Sequence, residues 1–174
     1  MRIALAGTHS SGKSELIREL KLPYHRIDEI ARSEIKRLWK LPHEMTDSER
    51  LMFQLNLFNK QIEEEDKYKQ FISDRSLFDI IAYWADVFGV QLTKMLLEQV
   101  RYMYDLILAT PIQWEMQDDG IRKVDEVYRI EIQKRIFSYI KEYHAWETSY
   151  LYGHLPEKKE SAILHIQSLL WKSL

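Results

Sequence analysis

The sequence predicts an α/β domain whose mostly parallel sheet is covered by helices on both faces. Three observations carry this. Short apolar runs of strand length alternate with longer stretches of helical period. The chain of 174 residues fits one domain, taken as 1–174, and is long enough to bury a continuous core. With only five glycines and four prolines, no low-complexity linker divides it.

The first strand is the apolar run Ile3-Ala4-Leu5-Ala6, and helix-favouring residues follow from Glu15 to Leu20. Tyr24 to Asp28 reads as a short second strand leading into a helix from about Glu29 to Trp39. Thr46-Asp47-Ser48-Glu49 has the capping-box form for a long helix carrying Leu51, Phe53, Leu55 and Phe58. Phe71-Ile72-Ser73 suggests a third strand; Leu77 to Phe88 reads as a buried helix stopped at Gly89, with another from Leu92 to Arg101. Tyr104 to Ala109 is the fourth strand, closed by Thr110-Pro111. A helix over Asp125 to Tyr143, a weak fifth strand over Thr148 to Tyr152 and a helix over Pro156 to Trp171 complete the chain.

Between the first strand and first helix stands Gly7-Thr8-His9-Ser10-Ser11-Gly12-Lys13-Ser14, the phosphate-binding pattern G-x-x-x-x-G-K-[ST] in the strand-to-helix context that makes it informative. Gly7 and Gly12 permit backbone angles that turn successive N–H groups toward phosphate oxygens, and the helix start adds partial positive charge. Lys13 is placed to reach the β and γ phosphates, and the Ser14 hydroxyl suits Mg²⁺. The expected ligand is a nucleoside triphosphate, ATP with Mg²⁺.

Asp74-Arg75-Ser76 falls at the carboxyl end of the third strand, the edge where ligands sit in open α/β sheets. Asp74 there can orient Mg²⁺ and Arg75 can neutralise phosphate; the alternative is Asp74 as a helix N-cap with Arg75 solvated. Glu29 lies on the same rim and suits a base for an acceptor hydroxyl, with Asp28 as its rival, while Arg32 is placed to pair with Glu29 or touch phosphate. The cation-rich loop Asp118 to Asp125, hinged at Gly120, suits a lid over about 112–128 that delivers Arg122, with Arg129 a further nucleotide contact. Phe78, Tyr83 and Trp84 have the spacing of core residues, although one of them is placed to stack on an acceptor base.

Other chemistry is excluded or disfavoured. Without cysteine there are no disulfides, thiolate nucleophiles or cysteine-ligated metals. The histidines do not cluster, and His43, His144 and His154 read as loop or surface residues. The net charge of -2, with acids and bases interspersed, argues against a long nucleic-acid contact and for a small acceptor. No apolar stretch approaches the roughly 20 residues of a membrane span. With Met1-Arg2 running straight into a strand, neither a leader nor a transit peptide is expected, and a cytoplasmic location follows.

The loop at 7–14, Glu29-Ile30-Ala31-Arg32, Asp74 to Asp79, Tyr104 to Leu108, Asp119 to Arg122, Asp125-Glu126 and Tyr128-Arg129 together resemble the P-loop kinases that include the nicotinamide-riboside kinase domain and small AAA-like ATPase/kinase proteins. The resemblance covers almost the whole chain. It implies a P-loop NTPase three-layer sandwich with a five-stranded parallel sheet in order 2-3-1-4-5, and transfer of the γ-phosphoryl of ATP to a nucleoside, a nucleotide or a related small molecule. It further implies Lys13 and Ser14 at phosphate and Mg²⁺, Asp74 near Mg²⁺ or acceptor, Arg75 at phosphate, Glu29 toward the acceptor hydroxyl and Arg122 in the lid. The adenine-side loop is expected around Gly153-His154-Leu155. A polynucleotide 5′-hydroxyl kinase and a regulatory ATPase remain alternatives, and a homodimer is compatible with all three.

Overall fold

A computed structural model describes residues 1–38, 40–41, 44–113 and 125–172. The chain runs β1 (Arg2–Ala6), α1 (Lys13–Leu20), β2 (His25–Ile27), α2 (Ile30–Leu38), α3 (Asp47–Asp66), β3 (Phe71–Ser73), α4 (Leu77–Val100), β4 (Leu106–Ala109), α5 (Glu126–Tyr143), β5 (Thr148–Tyr150) and α6 (Leu155–Lys172). The sheet order is β2-β3-β1-β4-β5, with every neighbouring pair parallel. Register is set by apolar pairs such as Ile3 with Leu106 and Ile3 with Ile72.

The period-two geometry of a strand divides β1 between two cores. Ala4 and Ala6 face a large cluster with Phe71 and Ile107, filled by Phe53, Leu57, Phe78, Trp84, Ile132 and Ile136 from α3, α4 and α5. Ile3 and Leu5 face the other side, where Leu16, Ile17 and Leu20 of α1 meet Ala162 and Ile166 of α6. Small alanines on the crowded face leave room for the aromatic side chains of three helices. Each fully buried leucine or isoleucine contributes about 1.5–3 kcal/mol of transfer free energy, so the central strand is the most securely held part of the sheet.

Local signals in the sequence act as expected. Thr46 Oγ1 accepts from Glu49 N at 3.3 Å and Glu49 Oε2 accepts from Thr46 N at 2.7 Å, closing the capping box of α3. At Gly89 (φ 71°, ψ 172°) the helical path breaks inside α4, where the sequence predicts one helix to stop and another to follow. Two expectations are corrected. His144 lies in the loop after α5, as one half of its reading had it, but is fully buried and not a surface residue: its ring N–H donates to the Tyr104 carbonyl at 2.8 Å, and burial lowers its pKa. Asp74 is not a helix N-cap. Ser76 caps α4: it is extended, its side chain accepts from Asp79 N, and the helix begins only at Leu77.

Candidate functional site

The predicted phosphate loop connects β1 to α1 through three left-handed residues, Gly7 (φ 145°), Ser10 (φ 55°) and Gly12 (φ 89°). Gly7 is required by crowding as well as by angle. A Cβ there would lie 2.6 Å from the Thr110 carbonyl oxygen and 2.7 Å from its hydroxyl, at the end of β4. Thr110 also meets Ser11 Oγ at 2.8 Å, so the loop leans on the neighbouring strand. The first turn of α1 then presents N–H groups that have no helical acceptor, a site suited to anions.

Lys13 folds back into this loop. Its Nζ donates to the carbonyls of Gly7 at 2.6 Å and Thr8 at 2.7 Å and to Ser11 Oγ at 3.3 Å. Burial brings its pKa down to about 8, opposed mainly by Asp79. Every direct acceptor is neutral, so a phosphate oxygen would be a stronger partner than any it now has.

Asp79 is the residue that sequence reasoning left without a role. It is fully buried, and its Oδ1 accepts from Gly7 N at 2.7 Å. Its Oδ2 accepts from Ser76 N at 3.0 Å and from Ser76 Oγ. One carboxyl group thus fastens the loop's first amide to the cap of α4. The capping pattern Ser76-x-x-Asp79 was its available signal; the bond to Gly7, across 72 positions, had none.

Asp74 continues the β2–β3 ladder through its N–H to Ile27 O at 2.9 Å and turns its side chain toward the loop. It is buried, which raises its pKa, while a hydrogen bond from Ser14 and the charge of Lys13 act the other way. Its Oδ1 has no hydrogen-bond partner. A buried carboxylate oxygen beside a serine hydroxyl matches the hard oxygen donors that Mg²⁺ takes alongside nucleotide phosphates. Among the described residues no group of three or more acids or histidines could hold a metal by itself.

Arg75 and Glu29, predicted separately, are brought together: Nη2 to Oε1 is 2.6 Å and both side chains are almost fully buried. Burial opposes the Arg75 charge, but Glu29, Tyr83, Asp79 and Asp74 raise its pKa above the ordinary value. A hydrogen-bond network orients its backbone: Ser73 Oγ donates to the Arg75 carbonyl at 2.7 Å and accepts from Gln61 Nε2 at 2.8 Å. Gln61 also donates to Glu65, whose burial pushes its pKa up to about 7. Arg32 lies 3.6 Å from the second Glu29 oxygen. Asp28 pairs instead with Arg26 at 2.8 Å on the exposed surface, which separates the two candidate bases.

Of the three aromatic candidates, Phe78 and Trp84 are core residues, whereas Tyr83 joins the site. Its hydroxyl meets Thr8 Oγ1 at 3.0 Å and His9 Nδ1 at 2.8 Å, and its ring lies 5.3 Å from the Arg75 guanidinium carbon. Arg129 is fully buried and reaches the loop from outside, through the carbonyls of His9 and Ser10. Lys158, which the sequence did not single out, bonds the Ser11 carbonyl. Arg122 and most of the predicted lid over 112–128 lie outside the described residues; Asp125, at its end, caps α5 by accepting from Tyr128 N at 3.0 Å. Gly153 (φ 90°) makes the turn into α6, where the adenine-side loop is expected.

Comparison with known proteins places this geometry among nucleotide-binding folds. The structure is similar to that of deoxyadenosine kinase from M. mycoides with products dCMP and dCDP bound, at TM-score 0.69 and 15% identity, covering 97% of this chain and 100% of that one. It is similar to NadR protein in complex with NR at TM-score 0.64 and 17% identity, covering 97% of this chain and 50% of that one. Shikimate kinase from Acinetobacter baumannii with shikimate gives TM-score 0.55 at 14% identity, covering 99% and 94%. No curated protein matches the sequence. An AAA domain family model matches residues 2–154, nearly the whole α/β unit with its loop, Asp74 and Arg75, and the chain therefore belongs to the AAA domain family, on the fold shared by small P-loop kinases.

Proposed function

We propose that this protein is a single-domain kinase that transfers the γ-phosphoryl group of ATP to a hydroxyl of a nucleoside-like small molecule. The observation that carries the reading is the Glu29–Arg75 pair, held at 2.6 Å on the strand edge beside the phosphate loop. Because Glu29 offsets part of the charge of Arg75 and Arg32, the acceptor side offers less positive charge than two free arginines would bring to a phosphate monoester. A neutral alcohol suits it better. Glu29 can accept the hydroxyl proton as attack proceeds, and Arg75 can turn toward the transferring group.

On the donor side, Gly7 to Ser14 surround the triphosphate, and Lys13 exchanges its carbonyl partners for phosphate oxygens. Ser14 and Asp74 would hold Mg²⁺, which would supply charge neutralisation at the triphosphate when bound. Arg122 is assigned to closure over the phosphates, and Arg129 acts on the nucleotide site from behind the loop. The neighbours with dATP and with AMP-PNP bound support a nucleotide donor. No helix among the described residues is long and apolar enough to cross a membrane. We assign the protein to the cytoplasm.

A screen with labelled ATP against nucleosides, nucleoside monophosphates and a 5′-hydroxyl oligonucleotide tests the reading. Product is expected with a nucleoside. Product confined to monophosphates or the oligonucleotide moves the acceptor class. The AAA family match favours a second reading, an ATPase that drives a conformational change; hydrolysis indifferent to every acceptor would select it.

Two substitutions refine the roles. Glu29→Gln keeps the shape and removes the base, so kcat should fall about 10²-fold with the KM for ATP nearly unchanged. Asp74→Asn should weaken Mg²⁺ and slow the chemical step by about 10–100-fold, with a smaller effect on ATP binding in single-turnover kinetics. Wild-type rates in Asp74→Asn would remove it from the metal site.

A further inference from the structure

Two cations stand on helix stripes where apolar residues are expected. In α5, Arg129 leads the buried series Ile132, Ile136 and Ile140; in α6, Lys158 leads Ala162 and Ile166. Arg129 is fully buried and Lys158 is 4% exposed. A cation on such a stripe loses its hydration on folding and must find polar partners. Here the partners are main-chain oxygens of the phosphate loop.

Arg129 Nε donates to His9 O at 3.2 Å and Nη2 donates to Ser10 O at 3.0 Å. Lys158 Nζ donates to Ser11 O at 3.3 Å. Three consecutive carbonyls are therefore drawn outward by two helices. Glu126 balances Arg129, with both carboxylate oxygens 3.0 Å from Nη1. Lys158 has no carboxylate within ion-pair distance among the described residues, and burial lowers its pKa. The middle carbonyl belongs to Ser10, whose φ of 55° is unfavourable for a residue with a Cβ and persists only where its surroundings impose it.

We propose that Arg129 and Lys158 clamp the loop from its outer side in the conformation that binds phosphate, and that Lys158 is a positioning residue for the nucleotide. This rests on reading the loop as the nucleotide site. Each peptide unit is planar and trans, so a carbonyl held outward turns the following N–H inward. Holding His9, Ser10 and Ser11 by their oxygens thus aims the N–H groups of Ser10, Ser11 and Gly12 toward the ligand before it arrives. The clamp removes ordering that binding would otherwise have to supply.

The test combines Lys158→Met, which keeps length and apolar volume, with Lys158→Arg, which restores a donor. Amide hydrogen exchange over 7–14 is measured without nucleotide, with calorimetry of MgADP and steady-state kinetics. Lys158→Met should exchange faster in the loop, bind MgADP about tenfold more weakly and raise the KM for ATP, while kcat at saturating ATP stays within about twofold. Lys158→Arg should recover all three. A loop that exchanges at the wild-type rate in Lys158→Met overturns the clamp, and weaker binding with unchanged exchange assigns Lys158 to direct nucleotide contact instead. If wild-type protein binds no MgADP, the nucleotide reading fails while the exchange comparison still decides the clamp. Should Lys158→Met melt too low to handle, Arg129→Lys makes the same exchange comparison at His9 and Ser10.

Discussion

Lys13→Met is expected to lower turnover by about 10³-fold, the scale for losing one positioned charge at a developing anion, while leaving the melting temperature unchanged or raised. The stability expectation follows from the site's own chemistry. Lys13 is a buried ammonium whose pKa falls to about 8, so the fold bears its charge at some expense, and methionine removes that charge without opening a cavity. The same depression predicts a pH dependence. The unfolded chain holds the lysine proton up to about 10.5, whereas the native chain releases it near 8. Between these values the unfolded state binds more protons, so native stability contributed by this group rises with pH. Affinity for MgATP should move the other way, weakening as the pH passes above about 8, because the neutral amine cannot pair with phosphate. Titration of wild type and variant by calorimetry checks both signs: a variant that keeps the wild-type pH profile assigns the dependence to another group.

Asp79→Ala should destabilise the protein by about 1.5–5 kcal/mol. The substitution removes the capping box of α4, worth roughly 0.5–2 kcal/mol, and leaves the buried Gly7 N–H without its acceptor at roughly 1–3 kcal/mol. Asp79→Asn retains one carbonyl oxygen and should fall between variant and wild type. Denaturant unfolding measures the difference, and loss of MgADP binding at temperatures where Asp79→Asn is still folded would show that the Gly7 amide must be fixed for the loop to work. A change within about 0.5 kcal/mol for the alanine variant would mean that solvent replaces both sets of bonds.

The parts of this structure legible in the sequence are those whose causes are local. Phe71 to Ser73 is a strand with the bounds its apolar run predicts, Thr46 and Glu49 cap each other across three residues, and Gly89 breaks its helix by its own backbone. The phosphate loop was legible because eight consecutive residues carry its chemistry. Asp74, Arg75 and Glu29 could be placed on its rim because each follows a strand, but the bonds that fasten the loop were not legible. Lys158 meets Ser11 across 147 positions, Arg129 meets Ser10 across 119 and Tyr83 meets His9 across 74. Such contacts depend on how each helix is rotated about its axis, which a charge run in the sequence does not state. One signal was nonetheless present: Arg129 and Lys158 fall in register with the buried isoleucines of their helices, and a cation on an apolar stripe has to meet a polar partner inside the protein.

The strand order gives the site a built-in ruler. Adjacent strands lie about 4.8 Å apart, and β1, β3 and β2 are successive neighbours. The phosphate loop leaves the first of these, Asp74 follows the second and Glu29 follows the third, so loop, candidate metal ligand and candidate base are spaced in steps of one strand. On the proposed function, a donor above β1 and an acceptor above β2 would have the phosphoryl group travel across the strands, along the direction in which backbone hydrogen bonds fix distance most firmly. Slack in the helices and loops would then alter which molecule enters without altering how far the group would have to move.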